Sequence, residues 1–173
     1  ASILIHLGGL KLDSMYGLFG IENVPEAFSV ALSYLTIIVV INSFNLIDGI
    51  YGLATSLGIL TLSVFGAYFL AVDMQAYALL AFSMAGSLVA FIIFNHHPAK
   101  IFMGDSGSLM IGLVNAILVI KFINVAYSPT AIIKIPSAVA VGFAILVVPL
   151  LDTLRVFSIR IANGRSPFTP DRN

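Results

Sequence analysis

Ile41-Asn42-Ser43-Phe44-Asn45-Leu46-Ile47-Asp48-Gly49-Ile50-Tyr51-Gly52-Leu53 places two amides and a carboxylate three residues apart between two long apolar runs. On a helix, Asn42, Asn45 and Asp48 stack along one face. A carboxylate near the middle of a bilayer costs roughly 3 kcal/mol on insertion scales. At the water boundary, turned inward, the same groups form a polar site at little cost. Gly49 and Gly52 then let the backbone turn and come close to a ligand.

Outward from this stretch the chain is apolar. Of its 173 residues, 60% are hydrophobic and 9% charged, and the mean hydropathy is +1.08. These values describe an integral membrane protein and exclude an ordinary soluble domain. A formal net charge of zero gives no bulk field for nucleic acid. With no cysteine, neither a disulfide framework nor a thiolate metal site is available. The apolar runs predict an all-α polytopic bundle in one domain, residues 1–173. Its full spans are expected at 27–47, 53–72, 76–94, 108–126 and 138–157, each long enough to cross a bilayer as a helix. Ala1–Leu7 reads as the end of a helix begun upstream and stopped at Gly8-Gly9, so a fragment is expected.

Two further polar segments lie at span ends. Asn95-His96-His97-Pro98-Ala99-Lys100-Ile101-Phe102-Met103-Gly104-Asp105-Ser106-Gly107-Ser108 carries a carboxylate just before a helix, with Ser106 and Ser108 as candidate caps. A carboxylate beside free backbone N–H groups suits a hard cation and an anionic ligand together, although Asp105 as a plain helix cap fits the residues equally well. Gly104-Asp105-Ser106-Gly107 imitates a serine-protease nucleophile strand, but that chemistry belongs to a β double barrel. A rhomboid-type reading fails too, since no His follows His97. No Gly-Lys-Ser/Thr completes a P-loop. The third segment, Pro149-Leu150-Leu151-Asp152-Thr153-Leu154-Arg155 with Arg160, Arg165 and Arg172, reads either as an orientation anchor or as a guanidinium cluster for phosphates.

Lys100, Arg155, Arg160, Arg165 and Arg172 fall on one side of the expected topology, and Lys11, Lys121 and Lys134 on the other. The basic excess predicts that the first side faces the cytoplasm. Two spans separate each polar segment from the next, so all three are expected on that side.

Together the segments resemble the polyprenyl-phosphate N-acetylhexosamine-1-phosphate transferases over nearly the whole chain. This family includes undecaprenyl-phosphate N-acetylglucosamine-1-phosphate transferase and, more distantly, phospho-MurNAc-pentapeptide translocase. The resemblance rests on Asn42-x-x-Asn45-x-x-Asp48-Gly-x-x-Gly-Leu, on Pro98-Ala-Lys-Ile-Phe-Met-Gly-Asp-Ser-Gly-Ser, and on Pro149-Leu-Leu-Asp-Thr-Leu-Arg with Gly164-Arg-Ser-Pro-Phe-Thr-Pro-Asp-Arg. The last block is closer to the N-acetylglucosamine branch.

The resemblance implies Mg²⁺-dependent (alternatively Mn²⁺-dependent) transfer of a sugar 1-phosphate from a UDP-sugar to polyprenyl phosphate. UMP is released at the cytoplasmic face of a bacterial inner membrane, at the start of cell-envelope polysaccharide synthesis. It further implies Asp105 and Asn45 as metal ligands, with Asp48 and Asp105 as catalytic residues. Asn95 and Phe102 correspond to nucleotide-pocket positions, and Asn42, Lys100, Tyr51, Arg160 and Arg165 are candidate substrate contacts. The expected partners are the UDP-sugar, the lipid phosphate, the membrane and a second copy in a homodimer, with no nucleic acid. The chain departs from the family at Tyr51, where an Asp is usual. The family's upstream acidic pair and downstream His motif fall outside residues 1–173. Two other classes stay open: a non-catalytic polyprenyl-phosphate-binding paralogue and an ion-transport element lined by Asp48 and Asp105.

Overall fold

The structure, a computed structural model, describes residues 1–16, 24–50, 52–96, 98–164 and 166. Every regular element among them is a helix: α1 (Ser2–His6), α2 (Glu26–Ile47), α3 (Leu53–Ala71), α4 (Gln75–Asn95), α5 (Gly104–Tyr127), α6 (Ala138–Ile145) and α7 (Val147–Ala162). Four of these, α2 to α5, are long and apolar enough to cross a membrane. Helices apolar on all sides need either lipid or protein around them. The α5 helix sits at its centre, packed against α2, α3, α4 and α6. Its Ile111, Leu118 and Ile120 are fully buried beside Ile37, Phe44 and Leu62. By contrast, α4 turns Leu79, Phe82, Val89 and Ile93 outward, as a lipid-facing helix does.

The apolar run expected as the fifth span, 138–157, is helical but not straight. It is two helices, α6 and α7, bent by 74° at Leu146. Pro149 accounts for the break. It has no N–H for the carbonyl of Ile145, and its ring would clash with that carbonyl in a continuous helix. Ile145 is the last residue of α6. The other spans end within a few residues of the positions expected, with α5 beginning at Gly104 instead of 108.

At the opposite end of the bundle, residues 10–16 lie against α2 and α5. The Leu12 N–H donates to Ser33 Oγ at 2.8 Å, and Asn124 Nδ2 donates to the Lys11 carbonyl at 2.7 Å. The Tyr16 hydroxyl donates to Asn124 Oδ1, and burial pushes its pKa up to about 12. Lys11 pairs with Glu26 at 3.3 Å, placing the acid in the first turn of α2, where the helix dipole favours it. These bonds fix the outer end of α2 and so hold its other end, with the polar face, in register.

Candidate functional site

The polar face is assembled by one antiparallel seam. On α2, Ile41, Asn45 and Asp48 step four and then three residues along one stripe. On α5, Gly112, Ser108 and Asp105 step back by the same intervals. The lowest rung needs glycine, because a Cβ on Gly112 would lie 2.6 Å from the Ile41 Cα. That closeness brings the next rung together: Asn45 Nδ2 donates to Ser108 Oγ at 3.1 Å and to Asp105 Oδ1 at 3.3 Å. At the top rung, the backbone N–H of Gly104 faces the Asp48 carboxylate closely enough to favour its charged form. Segments 60 residues apart in the chain thus share one hydrogen-bonded cluster.

Asp105 is not a helix cap. It lies in the first turn of α5, whose N-cap is Met103, and no side chain caps that end. Asp105 is exposed and Asp48 and Asn45 are half-buried, so the cluster opens to its surroundings. Asp48 closes α2 just beyond the span. Burial first, then the negative charge of Asp105, raises its carboxyl pKa above the ordinary value, and the Gly104 N–H partly offsets this. Two carboxylates that repel each other beside an amide oxygen make an all-oxygen donor set that a hard cation would relieve. The described residues hold no cluster of three His, Cys, Asp or Glu. Asp105, Asp48 and the Asn45 amide oxygen are the residues that could hold a hard cation, whose remaining positions water or phosphate oxygens would fill.

Asn95 works from behind the cluster. It is 3% exposed, and its Oδ1 accepts from the Gly52 N–H at 3.2 Å and from Thr55 Oγ1 at 2.9 Å, while Nδ2 donates to the Ile101 carbonyl at 3.1 Å. It therefore ties the turn after Asp48 to the loop that leads to Asp105. Gly52 makes that turn at φ 74°, a left-handed conformation that other residues adopt only with strain. Phe102, on the same loop, is 67% exposed. Lys100 is also exposed.

Asn42 is not drawn into the cluster. Asn42 donates along its own helix to Ile38 O at 2.8 Å. Asp152 and Arg155 pair with each other at 3.5 Å, and Arg160 lies half-buried in the last turn of α7. The α7 helix itself packs on α2. Tyr51, Arg165 and Arg172 lie outside the described residues. Sequence reasoning missed Ser108 as the partner of Asn45, and missed Thr55 and the Gly104 N–H altogether. The matched four-then-three spacing on the two helices was the signal for the first.

A separate apolar cavity of about 340 Å³ lies between the 12–16 segment, α2, α5 and the α6–α7 bend, among Leu35, Val39, Val119, Phe143 and Leu150. None of Asn45, Asp48 and Asp105 lines it.

The pattern of glycosyl transferase family 4 matches residues 1–123. The decaprenyl-phosphate N-acetylglucosaminephosphotransferase of Mycolicibacterium smegmatis is 33% identical over 187 residues, covering 99% of this chain and 46% of that protein. A probable undecaprenyl-phosphate N-acetylglucosaminyl 1-phosphate transferase of Bacillus subtilis is 32% identical, with 99% and 46% covered. The phospho-N-acetylmuramoyl-pentapeptide-transferase of Lactobacillus helveticus is 51% identical over a shorter match, 41% of this chain and 22% of its own length. The chain thus spans about half the length of the first two of these relatives. No solved structure matches it significantly. A family pattern covering most of the chain, laid over a bundle that joins Asn45 to Asp105, makes this chain a member of glycosyl transferase family 4.

Proposed function

We propose that the protein carrying this chain transfers N-acetylglucosamine 1-phosphate from its UDP-sugar to undecaprenyl phosphate, releasing UMP at the cytoplasmic face of a bacterial membrane. The observation that carries this reading is the Asn45–Asp105 hydrogen bond beside Asp48, an open all-oxygen cluster at the ends of two membrane-length helices. A water-soluble nucleotide and a lipid phosphate can meet only at such a boundary. The relatives at 33% and 32% identity are named as a decaprenyl-phosphate N-acetylglucosaminephosphotransferase and a probable undecaprenyl-phosphate N-acetylglucosaminyl 1-phosphate transferase.

In the reaction, an oxygen of the lipid phosphate attacks the phosphorus that bears the sugar. The bond from that phosphorus to the bridging oxygen of the diphosphate breaks, and UMP leaves with that oxygen. Asp105 and Asn45 would hold Mg²⁺, which supplies charge neutralisation for the meeting of two polyanions. Asp48, drawn toward the Gly104 N–H, keeps the start of α5 against the end of α2. Phe102 offers a ring for the uracil, and the Asn95 clip holds its loop. The apolar cavity beside α2 has walls suited to isoprene units of the acceptor. An ion-transport element would carry its acids within the spans, whereas Asp48 and Asp105 sit at their ends.

The test is transfer of label from the sugar-bearing phosphate of UDP-N-acetylglucosamine into lipid by the full-length protein. Transfer that needs added undecaprenyl phosphate, stops with EDTA and returns with Mg²⁺ or Mn²⁺ supports the reading. Lipid binding without transfer would favour the non-catalytic paralogue.

A further inference from the structure

Ser108 is fully buried, in the first turns of α5, directly beneath the open cluster. Its Oγ lies 3.3 Å from the Gly104 carbonyl and 3.2 Å from the Asp105 carbonyl. Both are acceptors only, so the single hydroxyl hydrogen points at one of them. What remains on Oγ is lone pairs, and these face Asn45 at 3.1 Å. Only the NH2 end of the amide can meet them. Asp105 Oδ1, an acceptor as well, faces the same nitrogen at 3.3 Å. Both hydrogens of Nδ2 are thereby directed into the seam. Among the described residues no donor reaches Asn45 Oδ1. A 180° turn of the amide would set its oxygen against a carboxylate and an already donating hydroxyl.

We propose that Ser108 is a positioning residue: its hydroxyl fixes the Asn45 amide so that Oδ1, and not NH2, is offered to a divalent cation held by Asp105. The proposal rests on the cation-dependent reading above, and it assigns to Ser108 no contact with substrate. Asp105 cannot do this alone, because a cation on its carboxylate weakens its attraction for Nδ2. The Ser108 lone pairs face the seam interior and keep their hold. An amide held in place before the cation arrives loses less freedom on binding it.

The test uses the full-length protein in nanodiscs, with Mn²⁺ titrated and followed by electron paramagnetic resonance, beside Mg²⁺-dependent turnover. Loss of one neutral hydrogen bond predicts that Ser108→Ala weakens Mn²⁺ binding about three- to tenfold. The Mg²⁺ concentration for half-maximal turnover should rise by a similar factor, with the KM for the UDP-sugar unchanged. Ser108→Thr, which keeps the hydroxyl, should stay nearer the parent. In an Asn45→Ala background, Ser108→Ala should add less than about twofold, since the group it orients is gone. Mn²⁺ binding unchanged by Ser108→Ala, or weakened equally with and without Asn45, overturns the proposal. Asp105→Asn serves as the control that separates the two levels. If it leaves Mn²⁺ binding intact, the cation site itself is wrong and the Ser108 role falls with it. If it abolishes binding while Ser108→Ala does nothing, only the Ser108 role is lost.

Discussion

Asp48 and Asp105 come from helix ends that the chain separates widely, yet the charge of Asp105 opposes ionisation of Asp48. The pKa of Asp48 is raised by burial first and by Asp105 second. A carboxyl whose folded pKa exceeds its unfolded value stabilises the fold while protonated, and that contribution is lost as pH rises through the raised value. Without divalent cations, thermal stability should therefore fall as pH rises from the ordinary aspartate range through the raised Asp48 pKa. Asp48→Asn should remove this slope and raise the melting temperature at neutral pH, while turnover falls. Differential scanning fluorimetry across pH, with EDTA and then with Mg²⁺, checks both signs. An unchanged slope in the variant would mean that Asp48 ionises in the fold as it does in water. Asn42 teaches the converse: it shares the stripe in sequence, but its amide bonds to its own helix and leaves the cluster to Asn45 and Asp48.

At the scale of the helices, the cluster depends on how closely α2 and α5 approach. A methyl group at Gly112 would stand 2.6 Å from the Ile41 Cα, and backbone cannot move aside as a flexible side chain does. Gly112→Ala should therefore cost about 1–3 kcal/mol of stability through overpacking. It should also pry Asn45 from Asp105 and lower turnover beyond what the stability loss explains. Turnover per folded molecule, measured beside a melting curve, separates the two effects. The spans and polar stripes were legible in sequence because hydropathy and three-residue spacing are local properties. The seam was less so, since Gly112 looks like any small residue in an apolar run until Ile41 is set against it. The α6–α7 bend was also hidden: Pro149 was read as part of a motif, while its clash with the Ile145 carbonyl is what divides the run. Asn95 was matched to a nucleotide-pocket position, and the bonds it makes to Gly52, Thr55 and Ile101 could not be foreseen, because they join three separate stretches.

For the molecule as a whole, the decisive property is sidedness. Ser43, fully buried and bonded to the Val39 carbonyl, makes a poor probe position. Ile50, Ser106 and Ser166 are exposed near the three polar segments, and Asp73 is exposed between α3 and α4. Single cysteines at Ile50, Ser106 and Ser166 should all react with an impermeant maleimide from the cytoplasmic side of sealed vesicles, and one at Asp73 only from the other side. Mixed labelling among the first three would divide the proposed site across the membrane. The role of Asp105 is tested most directly by UMP release from UDP-N-acetylglucosamine by the full-length protein and its Asp105→Asn variant, in membranes holding undecaprenyl phosphate at saturating Mg²⁺. Charge stabilisation through a bound metal contributes several kcal/mol, so the variant should be at least about two orders of magnitude slower, with its melting temperature and abundance little changed. Turnover near that of the parent would contradict the central claim that the α2–α5 seam is where phosphoryl transfer takes place.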